Sequence, residues 1–123
     1  MEILDHVVFS GVREGIICPD VRLMLDLKDL VETYYKCERD PVFYARQLNV
    51  SPYLVNKTCR YYFSKTVYEL LQDRVLNESC CLLRDTRMSS KQIAFELGFD
   101  DPAYFCRWFK KMKGCSPKGF KRG

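Results

Sequence analysis

The sequence predicts an all-α fold of about seven helices, within which one short helical arrangement occurs twice. Three observations support this prediction. Apolar residues recur at helical spacing from residue 20 onward, no segment beyond that point predicts a strand, and six polar side chains stand where a helix can begin. With 123 residues, 47% apolar and 29% charged, the chain has the composition of one globular domain, or of two very small ones sharing a core.

The sequence of residues 1–18 gives the weakest prediction of secondary structure. The segment ILDHVVF at residues 3–9 is compatible with a strand, and Gly11 and Gly15 interrupt any helix after it. We interpret residues 1–18 as an N-terminal tail, or as the remnant of a domain that lay upstream. The longest apolar runs hold about four residues, as in CCLL at 80–83, whereas a membrane-spanning helix needs about twenty. We therefore expect no membrane partner.

The helical region 19–123 begins with a long helix, predicted from residue 20 to about residue 37 with Asp20 as its N-cap. A second long amphipathic helix is predicted over residues 66–85. Cys81 lies beside its apolar stripe, which is formed by Val67, Leu70, Leu71, Val75, Leu82 and Leu83.

Five shorter helices each begin at a polar residue that can cap exposed backbone N–H groups. In four of them a proline follows, which suits the first helical position because it has no N–H to leave unpaired. These pairs are Asp40-Pro41, Ser51-Pro52, Asp101-Pro102 and Ser116-Pro117. The fifth start is Ser89, where Gln92 three residues later predicts a capping box.

The repeated arrangement occupies residues 41–63 and again residues 90–112. Each copy has an alanine in a short helix, a leucine three residues later, a turn residue that tolerates a left-handed backbone, and then an apolar residue. In order, these are Ala45, Leu48, Asn49 and Val50 in the first copy, and Ala94, Leu97, Gly98 and Phe99 in the second. A small residue where two helices cross, and a tight turn between them, are what a helix-turn-helix requires.

We therefore predict two helix-turn-helix subdomains, at about 41–63 and about 89–112, joined by the linker helix 66–85. In each subdomain the second helix has an apolar face, formed by Val55, Thr58, Cys59 and Tyr62 in the first and by Phe105, Trp108, Phe109 and Met112 in the second. The opposite faces carry Tyr53, Asn56, Lys57 and Arg60, and Ala103, Cys106, Arg107 and Lys110, with Tyr104 and Lys111 on the flanks. Such helices bury one face and present the other to a major groove.

Charge is unevenly distributed along the chain. Residues 1–40 carry a net charge of −4 and residues 41–123 carry +8, within a total of +4. This distribution indicates a polyanionic partner, although a solvated surface has the same appearance. The linker helix of about twenty residues is roughly 30 Å long, close to the roughly 34 Å between successive turns of DNA. One chain could thus reach two successive major-groove segments.

Metal, cofactor and catalytic sites are not predicted. The seven cysteines form no C-x-x-C pair, and His6 is the only histidine, which argues against zinc. We interpret the cysteines as reduced thiols, several of them buried. There is also no pairing of a nucleophile with a base and no glycine-rich phosphate loop, so we expect no enzyme.

Residues 74–122 carry a specific resemblance. RVLNESCCLLRDTRMSSKQIAFELGFDDPAYFCRWFKKMKGCSPKGFKR resembles the C-terminal signature of the AraC/XylS family of bacterial transcription regulators, through S-x-x-Q-I-A, LGF, D-P-x-Y-F, R-x-F-K-K and G-x-S-P. The first subdomain matches less closely, since the family often has phenylalanine in place of Cys59 and glycine in place of Ser64. The resemblance implies a cytoplasmic, nucleoid-associated regulator of double-stranded DNA that activates transcription through RNA polymerase. Most members of the family carry an effector-binding or dimerisation domain upstream, so we expect either a C-terminal fragment of such a protein or a single-domain regulator controlled by its abundance.

These expectations assign roles to nine of the ten residues on the outer faces and flanks, all but Tyr104. The resemblance places a base- or phosphate-contacting arginine at Arg107, and arginine bonds bidentately to guanine. Asn56 and Lys57 have the chemistry to read adenine and guanine edges, and Tyr53 to contact a sugar or a thymine methyl group. Arg60, Lys110 and Lys111 are expected at phosphates, while Ala103 and Cys106 allow close approach. The alternative is an interaction module of the same fold that modulates another regulator without specific DNA binding.

Overall fold

The computed structural model of the protein describes residues 18–122, and all of its regular structure there is helical. The helices are α1 (Pro19–Tyr34), α2 (Pro41–Gln47), α3 (Pro52–Phe63), α4 (Val67–Asp85), α5 (Ser90–Glu96), α6 (Pro102–Lys113) and α7 (Pro117–Arg122). The predicted all-α fold with seven helices is confirmed. The interpretation of residues 1–18 lies, apart from Cys18, outside the described residues.

Helix starts agree closely with the prediction from capping chemistry. The side chains of Asp40, Ser51 and Asp101 each accept a hydrogen bond from the first turn of α2, α3 and α6. Ser89 and Gln92 form the predicted reciprocal capping box at α5. Ser116 caps α7 by accepting from the backbone N–H of Gly119 at 3.0 Å.

The start of α1 was predicted wrongly. The helix begins at Pro19 with Cys18 as N-cap, and no side chain caps it. Asp20 lies inside the first turn instead, because Pro19 already has the backbone geometry of a first helical residue. A carboxylate in this turn still interacts favourably with the positive end of the helix dipole.

The chain divides into two compact units, with the boundary after Leu70 inside α4. In the first unit, α1 packs on α2 and α3, and α2 packs on α3. Its core is formed by Met24, Leu27, Val31, Tyr35, Tyr44, Ala45, Val55, Cys59 and Val67. Asn49, with φ of 58°, makes the left-handed turn between α2 and α3, as predicted.

In the second unit, α6 packs on α5 and α7. Gly98, with φ of 87°, makes the turn between α5 and α6. The core is formed by Leu71, Val75, Cys80, Leu83, Ile93, Ala94, Leu97, Phe99, Phe105, Trp108 and Phe109. Cys80 is buried and Cys81 is exposed, so the buried stripe of α4 runs through the first of the two cysteines and not beside the second.

Candidate nucleic-acid interface

Aromatic side chains fix helix α6 in the second unit. Phe105, Trp108 and Phe109 are buried. The ring centroid of Phe99, the residue after the turn, lies 5.0 Å from that of Phe105 and 5.3 Å from that of Trp108. Asp101 holds the start of the helix by accepting a hydrogen bond from the backbone N–H of Ala103 at 3.0 Å. One face of α6 is therefore committed to the core, which leaves the opposite face at the surface.

The predicted buried face of α6 ends one turn early. Met112 exposes 38% of its surface, because it lies in the last turn of the helix, beyond the aromatic core. In α3 the corresponding prediction also ends early, since Tyr62 is only half-buried whereas Val55, Thr58 and Cys59 are buried.

The outer face of α6 carries all the residues of this helix that were predicted to contact DNA. Ala103, Arg107, Lys110 and Lys111 are exposed and Cys106 is half-buried. Tyr104 exposes 53% of its surface. These side chains lie on the side of α6 opposite the buried Phe105, Trp108 and Phe109. A recognition helix requires this arrangement.

The charge on α6 is entirely positive. The helix contains Arg107, Lys110, Lys111 and Lys113 and no acidic residue, and the three lysines lie in its last turn. Within residues 18–122, Arg107 forms no ion pair with the acidic residues that precede the helix. Its guanidinium is thus free to meet a phosphate or a guanine edge.

Helix α3 presents a similar face in the first unit. Ser51 accepts a hydrogen bond from the backbone N–H of Leu54 at 3.1 Å and so fixes the start of the helix. On the outer side Lys57 and Arg60 are exposed, and Tyr53 exposes 74% of its surface. The Nζ of Lys57 lies 6.0 Å from the ring centroid of Tyr53, within reach of a cation–π contact.

Asn56 differs from the other predicted residues of α3. It is half-buried, and its Oδ1 accepts a hydrogen bond from the backbone N–H of Val67 at 3.0 Å. Because a backbone N–H can only donate, the oxygen assignment of this amide is fixed. In this structure Asn56 joins α3 to the first turn of α4.

Tyr61 is a surface residue that was not predicted from the sequence. It exposes 80% of its surface and makes an edge-to-face contact with Tyr62, with centroids 4.9 Å apart. It borders a groove of about 570 Å³ whose lining also includes Leu54, Lys57 and Arg60. The helical spacing of Tyr53, Lys57 and Tyr61, four residues apart, was a signal for one shared face.

Cys59 lies beneath the outer face of α3 and is fully buried. Burial raises the pKa of its thiol to about 11, and the Glu69 carboxylate adds to the shift. The thiol is therefore neutral at physiological pH, in keeping with the interpretation of this cysteine as a small core residue.

The described part of the chain offers neither a metal cluster nor a membrane span. No group of three or more His, Cys, Asp or Glu side chains among these residues is placed to hold a metal ion. None of the helices between residues 18 and 122 combines the length and the hydropathy needed to cross a bilayer.

Known proteins share both the sequence pattern and the fold. The arabinose operon regulatory protein of Salmonella typhimurium is 33% identical over 79 residues, which are 64% of this chain and 28% of that protein. The chain therefore spans little more than a quarter of this relative.

Two solved structures have the same fold. The C-terminal domain of AraT, a response regulator from Geobacillus stearothermophilus, is 25% identical with a TM-score of 0.74, and the match covers 88% of each chain. The DNA-binding domain of the transcriptional factor AdpA, solved with a target DNA, is 18% identical with a TM-score of 0.71. That match covers 81% of this chain and 89% of the other.

A family model described as a helix-turn-helix domain matches residues 44–123, which are more than half of the chain. This range includes both recognition-type helices, α3 and α6. The chain belongs to the AraC-type helix-turn-helix family, whose fold is that of DNA-binding transcription regulators and not of enzymes.

Proposed function

We propose that the protein is a sequence-specific regulator of transcription that places α3 and α6 in successive major grooves of double-stranded DNA. The observation that carries this proposal is the two-faced character of both helices. Each buries one face in the core of its own unit, and each presents exposed basic side chains and no acidic residue on the other. A cationic helix held at the surface meets the electrostatic and steric demands of the major groove.

The residues on the outer faces of the two helices divide into three proposed roles. Arg107 reads a guanine edge, Lys57 reads a second base, and Tyr53 and Tyr104 contact sugars or thymine methyl groups. Arg60, Lys110 and Lys111 bind phosphates and position the protein without reading sequence. The small side chains of Ala103 and Cys106 allow α6 to approach the bases closely.

The regulatory output is proposed to be activation through contact with RNA polymerase, in the cytoplasm and at the nucleoid. The relatedness to a regulatory protein of the arabinose operon supports control of transcription. Because the chain matches 28% of that relative, an effector-binding or dimerisation domain encoded upstream is part of the same proposal. Transcription in vitro from a promoter carrying the selected site tests the output, and a rise in transcript on adding the protein is expected.

Selection of the purified chain against a pool of random duplexes, followed by sequencing, tests the DNA-binding proposal directly. A two-part motif with its halves about 10 bp apart is expected. Enrichment of a single half would mean that one helix carries the recognition. If no duplex is enriched, the proposal fails, and an interaction module of the same fold becomes the better account.

A further inference from the structure

The resemblance between the two units extends beyond the helix-turn-helix. Ser64 ends α3 and Gly114 ends α6, both in the left-handed conformation, with φ of 60° and 94°. Two residues later a hydroxyl caps the following helix in each case. Thr66 Oγ1 accepts from the backbone N–H of Glu69 at 3.2 Å, and Ser116 Oγ accepts from that of Gly119 at 3.0 Å. Each recognition-type helix is therefore joined to its successor by the same local structure.

The two junctions differ at the next residue. In the first unit it is Val67, which is fully buried and retains a backbone N–H. In the second unit it is Pro117, which has no N–H to satisfy. Fifty residues separate these positions, and the same interval separates Asn56 from Cys106. Asn56 accepts a hydrogen bond from Val67, whereas the thiol of Cys106 has no such donor to meet at Pro117.

We propose that Asn56 is a positioning residue, which locks the first turn of α4 onto α3, and that it does not read a base. This inference rests on the proposed DNA-binding function. Reading an adenine would use the same Oδ1 as an acceptor, in competition with the N–H of Val67. Leaving that N–H unpaired costs about as much as a base contact gains, so turning Asn56 to a base would bring no net gain over the bond already present.

The consequence is a difference between the two half-sites. At this position α3 engages the side chain of Asn56 in a bond within the protein, whereas Cys106 of α6, which is also half-buried, meets no backbone N–H at Pro117. The half-site bound by α3 should therefore lack a base preference at this position. Its preferences should come from Tyr53 and Lys57.

A double-mutant cycle with the substitutions Asn56→Ala and Val67→Pro tests the assignment. The first removes the acceptor. The second removes the donor by introducing proline, the residue found at the equivalent position of the second unit, Pro117. We expect N56A alone to lower the melting temperature by about 5 °C and to weaken binding to all duplexes by roughly tenfold or less. In the V67P background the same substitution should have almost no effect, because no N–H is left unpaired.

The base preferences distinguish a positioning residue from a base-reading one, because only the loss of a base contact changes the selected motif. In selection from random duplexes, N56A and wild type should give the same motif. Loss of preference at one base pair in N56A, in the presence or absence of V67P, would overturn the assignment. The control is Cys106→Ala, which removes the equivalent side chain in the second unit and should leave the melting temperature nearly unchanged.

Two further outcomes are distinguishable. If V67P does not fold, Asn56→Asp replaces it, since the carboxylate keeps the acceptor for Val67 and loses the amide donor that adenine requires. A wild-type melting temperature with an unchanged motif supports the assignment, and a changed motif overturns it.

If the wild type enriches no duplex, the proposed function fails and the role of Asn56 in DNA binding fails with it. A change of base preference at one position of the motif in N56A overturns the positioning role of Asn56 and leaves the proposed function intact.

Discussion

Ser64 and Gly114 close the two recognition-type helices in the same left-handed conformation, yet only one of them is glycine. A residue with a Cβ adopts this conformation at a cost of roughly 1–2 kcal/mol. We expect Ser64→Gly to raise the free energy of unfolding by about 0.5–1 kcal/mol, after the extra entropy of glycine in the unfolded chain is deducted. Denaturant titration measures the change.

The matched control for this prediction is Gly114→Ala. A Cβ at position 114 would meet no atom within 4 Å, so any loss comes from the backbone alone. A loss of about 1 kcal/mol is expected. Equal stabilities of the wild type and both variants would contradict the strain argument.

Arg107 and Lys111 lie on the same helix and should behave differently in DNA binding. Arg107→Ala should cost about 1–3 kcal/mol with the preferred duplex and relax the preference at one base pair. Lys111→Ala should weaken binding to all sequences alike. Affinity measured on the preferred duplex and on its single-base variants separates the two effects, and identical profiles for the two variants would argue against a base-reading role for Arg107.

Binding should also depend steeply on salt. Neutralisation of about six phosphates by the exposed basic residues predicts that log K falls with log salt concentration at a slope near −5. The slope is obtained by titrating DNA at several salt concentrations. Removing one phosphate-binding lysine should make it shallower by about 1, whereas a slope near zero in the wild type would contradict groove binding.

Alkaline pH should destabilise the first unit through Cys59. Its pKa is raised from 9.0 to about 11 in the folded protein. Between these values the unfolded chain has released the thiol proton and the folded chain still holds it. Stability is therefore complete below pH 9 and decreases as the pH rises towards 11, by roughly 1–3 kcal/mol at most. Thermal unfolding followed from pH 7 to pH 11 measures the decrease.

Cys59→Ala is the comparison for this pH profile. The variant is expected to be less stable at pH 7 because it leaves a cavity, but its stability should fall less steeply above pH 9. Tyr44, whose pKa burial also raises, continues to contribute in both proteins. Parallel pH profiles for variant and wild type would exclude Cys59 as the titrating group.

The indole Nε1 of Trp108 is buried and has no hydrogen-bond partner. Among the described residues it is the one buried side-chain nitrogen or oxygen in this situation. Trp108→Phe removes this unsatisfied N–H and keeps an aromatic ring beside Phe99 and Phe105. The gain offsets part of the lost volume, so we expect a cost below about 1.5 kcal/mol. Phe105→Ala, in the same core, should cost about 3–5 kcal/mol. A similar cost for both substitutions would contradict this account.

Features determined by a few neighbouring residues could be predicted from the sequence. The caps at Asp40, Ser51, Ser89 and Asp101 each depend on a side chain and an N–H two or three residues away, and the turn at Gly98 depends on a single φ angle. The wrong cap at Asp20 shows the limit of this reasoning, since Pro19 one residue earlier also satisfies the rule for a helix start.

Features that depend on tertiary structure could not be predicted in the same way. The bond between Asn56 and Val67 joins residues eleven apart, and on paper Asn56 resembles any polar residue of a solvated face. The burial of Cys80 in place of Cys81 reflects the phase of α4, where one residue corresponds to a rotation of about 100°. Sequence periodicity alone did not fix that phase.

The boundary between the two units falls inside a single helix, α4, and each unit has its own core and its own surface helix. Substitutions on the outer face of α6 can alter one half of a binding site without touching the residues that fold the other. Under the proposed function, the two halves of an operator can therefore diverge from each other over evolutionary time, as separately varying parts of one sequence. Because α3 and α6 differ in sequence, the two halves bound by one chain need not repeat each other, as the halves bound by two copies of one helix must.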